Sequence, residues 1–241
     1  VIPIRDDAPR ARFPYFVLLL IASYLFLFGY EVGLDVEARH SIGMRFGLVP
    51  GLVVPIWKSI LHDPSRLLDL ELLQSGVLPL ITSAFLHAGP LHVLGNALFL
   101  WVFGDNVESR LGYWRFPFFY LLCATAAGIV HALMDPGSMR PMVGASGAIS
   151  GCLGAYLLLH PKAHVKLLLP FLLIVFVDCR AWVLIPIWFA IQLPPVQNAI
   201  GFLEVDGIAY MAHLGGFVAG MLLLPLFLLF NPNPLKKRAA S

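Results

Sequence analysis

From Ile208 to Phe230 the chain runs for 23 residues without an Asp, Glu, Lys or Arg. At 1.5 Å per helical residue such a run is long enough to cross a hydrocarbon core of roughly 30 Å. The composition extends that constraint to the whole chain: 241 residues are 59% hydrophobic and 12% charged, with mean hydropathy +0.83. A single soluble core does not accommodate that much apolar surface, so the expectation is a membrane protein that crosses the lipid bilayer several times. The net charge of +2 implies no basic surface for nucleic acid. Cys123, Cys152 and Cys179 lie in or beside apolar runs without CxxC or Cys/His ligand spacing. No disulfide framework, metal site or cofactor is therefore expected.

Residues 1–12 read as a short polar cytoplasmic segment, 13–231 as the membrane domain and 232–241 as a basic cytoplasmic tail. Phe13 to Gly29 is read as the first span rather than a cleaved signal, because no small-residue cleavage pattern follows it. Glu31 to Gly76 then mixes ten charged residues with short apolar runs that Pro50 and Pro55 interrupt. This long first loop is expected to form short amphipathic helices at the membrane interface. The second span contains His87, His92 and Asn96, begins near Gly89-Pro90 and runs to about Val107. The third covers Phe116 to Met134, and the fourth Val143 to about Leu159. Leu167 to Val177 is apolar but short, and Asp178 and Arg180 separate it from Ala181 to Gln192. It is read as interfacial or re-entrant, with Ala181 to Gln192, extended past Pro194-Pro195, as the fifth span. Ile208 to Phe230 is the sixth. The fold class expected is all-α, a bundle of six transmembrane helices.

Basic residues near the span ends set the orientation. Arg5, Arg10 and Arg12, then Arg110 and Arg115, Lys162 and Lys166, and Lys236 to Arg238 share one side if there are six spans. The other side has Arg140, although the long first loop adds four basic residues. Both termini are thus expected to be cytoplasmic, in a multi-pass protein of the cell membrane. Spans two, four and six then start from the outer face with their polar residues in the first turns. His92 and Asn96 lie one turn apart, while Ser146 and His213 lie roughly 8 and 10 Å deep.

Val143-Gly144-Ala145-Ser146-Gly147 supports two readings. A small-residue seam that lets helices pack is the commoner use of such residues. The alternative is acyl transfer, in which His213 removes the proton from Ser146 and the Ser146 N–H, Asn96 and His92 donate to the oxyanion. Gly144 and Gly147 suit the second reading by allowing a substrate backbone to approach. Gly216 and Gly220 form a GxxxG seam that brings span six close to span four. The stretch lacks the last glycine of the strand-to-helix nucleophile elbow, which excludes that soluble fold. No carboxylate is placed to orient His213, so a Ser/His dyad is the economical form. Glu108 and Arg110 read as a solvated or capping pair, and Trp182 and Trp188 as interface anchors or lipid-facing packing.

Four stretches, His92-Val93-Leu94-Gly95-Asn96, Glu108-Ser109-Arg110-Leu111-Gly112, Gly144-Ala145-Ser146-Gly147 and Ala212-His213-Leu214-Gly215-Gly216-Phe217-Val218-Ala219-Gly220, resemble the rhomboid family of intramembrane serine proteases. The resemblance implies Ser146 as nucleophile, His213 as general base and acid, and His92 and Asn96 as oxyanion stabilisers. It also implies a wet active site open to the extracytoplasmic side and single-span membrane proteins as substrates. Some family members carry an aromatic residue one turn after the nucleophile, stacked on the catalytic histidine, where this chain has Ser150. The long first loop also lacks the Trp-Arg pair of some members. Two other functions remain: an inactive relative that binds membrane helices, and a small transporter that uses intramembrane histidines.

Overall fold

The computed structural model describes residues 2–170, 174–192, 196 and 210–229. Helix α1 is Tyr15–Val32. The segment read as a long loop, Glu31 to Gly76, folds into α2 (Val36–Phe46), α3 (Pro50–His62) and α4 (Leu70–Gly76), with a 3-10 turn at Pro64–Leu68, and α5 (Pro79–Thr82) follows it. Next comes α6 (Pro90–Phe99), continued through a widened turn, Leu100–Gly104, into α7 (Asp105–Leu111). The remaining helices are α8 (Arg115–Met134), α9 (Ser146–Leu159), α10 (Ala181–Gln192) and α11 (Tyr210–Leu229).

Three of the described helices, α1, α8 and α11, are long and apolar enough to cross a membrane. A fourth span results if Leu70–Phe85 and Pro90–Leu111, which meet at 84°, count as one. Six were expected. The difference lies in α9 and α10, which have 14 and 12 residues. Expected to begin at Val143, α9 begins at Ser146 because Met142 pairs with Leu48 and the Gly144 N–H is bonded to Ser83, which keeps the chain before Ser146 out of the helix. The proposed extension of α10 past Pro194-Pro195, and the outer ends of the sixth span at Ile208 and Phe230, lie outside the described residues.

The all-α expectation needs correction. Strands β1 (Ile2–Asp6), β2 (His164–Pro170) and β3 (Ile174–Arg180) form an antiparallel sheet in that order. The described parts of Leu167 to Val177, read as interfacial or re-entrant, are strand. Their β-branched and aromatic residues pair as a hairpin, with Leu167 opposite Val177 and Leu168 opposite both Phe176 and Ile2. Asp178 lies in β3, where it is exposed and 4.0 Å from Lys166. His164 N–H and its ring bond Asp7. The backbone N–H is the main reason the Asp7 carboxyl titrates below its ordinary value.

At the centre is α9, in which Gly147 through Tyr156 are all buried. It is apolar around its whole circumference, as a helix enclosed by others must be. Its glycines face α11 backbone to backbone: a Cβ at Gly216 would collide with the Gly147 carbonyl, and one at Gly220 with the Gly151 carbonyl. Backbone cannot move aside as a side chain can. Gly216→Ala is expected to cost about 3 kcal/mol or more, read as a lower thermal midpoint in detergent. Gly29→Ala is the control, because a Cβ there meets nothing within 4 Å.

At the end of the bundle away from Ser146, side chains of α7 receive the N-terminal segment. Glu108 is fully buried and accepts from Phe16 N–H at 3.0 Å and Val17 N–H at 2.8 Å. It therefore caps the first turn of α1 from a distant part of the chain, where four N–H groups lack intrahelical acceptors and negative charge is favoured. Of the solvated and capping readings, the capping one describes it. Ser109 Oγ accepts from Ala11 and Arg12 N–H, and Arg10 Nε bonds Asp105 at 2.8 Å. Glu108→Ala strips acceptors from two N–H groups and should destabilise by about 3 kcal/mol. Glu108→Gln, which keeps one carbonyl acceptor, should lose less in the same thermal unfolding measurement.

Candidate active site

Three chain segments meet at Ser146. Pro90 occupies the first position of α6, where its missing N–H costs nothing, and places His92 and Asn96 four residues apart on one face. The second segment is the extended approach to α9. Met142 exchanges two backbone hydrogen bonds with Leu48, and Gly144 N–H bonds the Ser83 carbonyl at 2.8 Å. The segment between α1 and α6 thereby holds the chain just ahead of Ser146. Gly144 has φ of +124°, which L side chains rarely adopt. Its Cα also presses on the α6 face: a Cβ there would lie 2.6 Å from His92 Cε1 and 3.6 Å from Asn96 Nδ2. Glycine is required at this position on both grounds.

The third segment is α11. His213 lies one turn into its described part and is 8% exposed. Its Nε2 is 2.7 Å from Ser146 Oγ, within hydrogen-bonding range for a hydroxyl donating to a neutral imidazole nitrogen. Ser146 and His213 are 67 residues apart in sequence, and the glycine contacts of α9 with α11 make their approach possible. Gly147 contributes by leaving room for Ala127, whose Cβ would lie 2.6 Å from an added Cβ.

Ser146 is half-buried and is the first residue of α9. Its N–H therefore belongs to the group of helix-opening donors without an acceptor in the helix. Asn96 is buried, and among the described residues its Nδ2 has no hydrogen-bond partner. Such a donor normally finds an acceptor when buried. A hydroxyl on a ring nitrogen, with unused donors beside it, can support addition to a carbonyl and stabilisation of the resulting oxyanion.

Of the residues named from the sequence for this site, His213 meets the Ser146 hydroxyl, His92 and Asn96 lie against Gly144 two residues before it, and Gly147, Gly216 and Gly220 set the spacing of α9 and α11. Two further neighbours belong to this region. His87, whose spacing of five before His92 allows support of the oxyanion side, water binding or a structural role, is buried with its ring 5.3 Å from the His92 ring. Trp188, read as an interface anchor or lipid-facing, packs against His213 with centroids 5.9 Å apart. Position five before His92 was a signal for the first; nothing in the sequence marked the second. Among the described residues no three His, Cys, Asp or Glu side chains group as metal ligands.

Comparison with known proteins bears on the same region. The model of the rhomboid domain family matches residues 74–230, which includes every residue of the site. The chain is 32% identical over 246 residues to RHOMBOID-like protein 5 of Arabidopsis thaliana, an alignment covering 95% of this chain and 74% of that protein. It is 37% identical over 150 residues to Rhomboid protein 1, mitochondrial, of Saccharomyces cerevisiae, covering 59% of this chain and 40% of that one. It is 31% identical over 141 residues to Rhomboid protease GluP of Bacillus subtilis, covering 58% of this chain and 24% of that protein. The chain thus spans about three quarters of the plant relative and well under half of the other two. With the family model extending over most of its length and 95% of it aligned to a relative at 32% identity, the chain belongs to the rhomboid family.

Proposed function

We propose that this chain is an intramembrane serine endopeptidase that cuts single-span membrane proteins in or near their transmembrane segments. The observation that carries the reading is the 2.7 Å separation of Ser146 Oγ and His213 Nε2, contributed by different helices. Ser146 attacks the scissile carbonyl carbon while His213 Nε2 takes the hydroxyl proton, which requires the tautomer protonated at Nδ1. The oxyanion so formed is stabilised by the Ser146 N–H, the Asn96 amide and the His92 ring. His213 then gives its proton to the leaving amine, and the C–N bond breaks to leave an ester on Ser146. Water, activated by His213 in turn, adds to the ester carbonyl and releases the acid and the free serine.

The same reading has six spans, both termini in the cytoplasm and the active site open to the extracytoplasmic side of the cell membrane, as the distribution of Lys and Arg favours. Reconstituted in proteoliposomes, the protein should cut a co-reconstituted single-span substrate, and a fluorophosphonate should label Ser146. Capture of the substrate with neither cleavage nor labelling would replace the protease by a helix-binding relative.

A further inference from the structure

The hydrogen bond between Ser146 Oγ and His213 Nε2 fixes one point of the imidazole ring. Proton transfer from the serine hydroxyl needs the Nε2 lone pair aimed along that bond, so the plane of the ring matters as much as the distance. One helical turn beyond Ser146, α9 offers no ring to lie against the imidazole. It offers Ser150, fully buried, whose hydroxyl has no hydrogen-bond partner among the described residues.

A ring comes instead from α10. The Trp188 indole and the His213 imidazole have centroids 5.9 Å apart and planes inclined by 31°, within the range of offset aromatic pairs. The indole is itself braced, with its centroid 5.4 Å from that of Phe99 on α6. The next residue, Phe189, packs at 4.5 Å on Phe217, one turn beyond His213 on α11. Through these two residues α10 is fastened to both helices that supply imidazoles to the site. We infer that Trp188 is a positioning residue for His213, so that alignment of the Ser146 and His213 pair depends on α10 being seated. This rests on the protease reading. Trp188 touches no reacting atom; it acts by confining the ring that does.

The test is the rate at which a small fluorophosphonate labels Ser146 in the full chain, with kcat and KM for a single-span substrate measured alongside. Trp188→Ala is expected to slow labelling about tenfold, the scale of one lost ring pair, and to lower kcat with KM little changed. Trp188→Phe and Trp188→Tyr should restore most of the rate. Trp188→Leu, which fills space without a flat ring, should stay slow and guards against collapse of the alanine variant. Trp182→Ala, on the same helix and 52% exposed, should label like the wild type. Wild-type labelling in both Trp188→Ala and Trp188→Leu would overturn the inference. So would faster substrate cleavage at unchanged labelling, which would make the indole a barrier to substrate entry. A wild type that does not label at all overturns the protease reading itself, and this inference with it.

Discussion

Ser146→Ala should yield a protein that folds, inserts and binds substrate but cuts it at least about 10⁴-fold more slowly than the wild type. The size of the loss follows from what remains. Without Oγ no ester can form, and His213 has only water to activate, at a position the site was not shaped to hold. The donors around Asn96 would still polarise a carbonyl, which is why a residual rate over solution is expected. Fluorophosphonate labelling should vanish. Stability should barely move, because the change removes one oxygen from a half-buried position at the first turn of α9. Quantitative cleavage of a single-span substrate in proteoliposomes, alongside thermal unfolding in detergent, checks both halves. Near wild-type cleavage by a folded Ser146→Ala protein would eliminate Ser146 as the nucleophile.

His213→Ala should cost nearly as much as Ser146→Ala, and the double variant should be no slower than either single one. Residues that act as one unit lose their contribution together, so their effects do not add. Two independent sites would instead multiply their losses. His213→Ala should differ from the serine variant in one respect, since a serine hydroxyl persists and should be labelled very slowly at high pH by its own ionisation. Activity of the wild type should rise with pH as the imidazole loses its proton, because only the neutral ring accepts from the hydroxyl. A His213→Ala protein that keeps the wild-type rate and pH profile would show that another base serves the serine. Both variants should be judged against a packing variant such as Gly216→Ala, which is expected to lose activity through lost stability.

Much of the helical architecture was legible because the signals are local. Pro90 after Gly89 marks the start of α6, and uninterrupted apolar runs mark α1, α8 and α11. The spacing of four between His92 and Asn96 puts them on one helix face wherever that helix sits. The misread stretches share a different property. Ile2 to Asp6 became a strand only because Val165 to Leu168, about 160 residues later, offers it an edge. Leu167 to Val177 has the hydropathy of a membrane segment, and hydropathy cannot distinguish a lipid-facing helix from a paired hairpin. The late start of α9 depends on Ser83 and Leu48, neither of which is near Ser146 in sequence. Glu108 looks like any charged residue at a helix end until the first turn of α1 is brought to it.

By itself the order of amino acids determined the membrane character of the chain, the places of its long apolar helices and the serine and histidine proposed for acyl transfer. These are properties of hydropathy and of helical periodicity, which act over a few residues. Tertiary structure alone decided that Ser146 Oγ and His213 Nε2 stand 2.7 Å apart, that the indole of Trp188 lies against that imidazole, and that a buried carboxylate caps α1. Each of these requires two distant segments to meet, and how closely they meet is set by the backbone contact of α9 with α11, where the glycines leave no side chain between them.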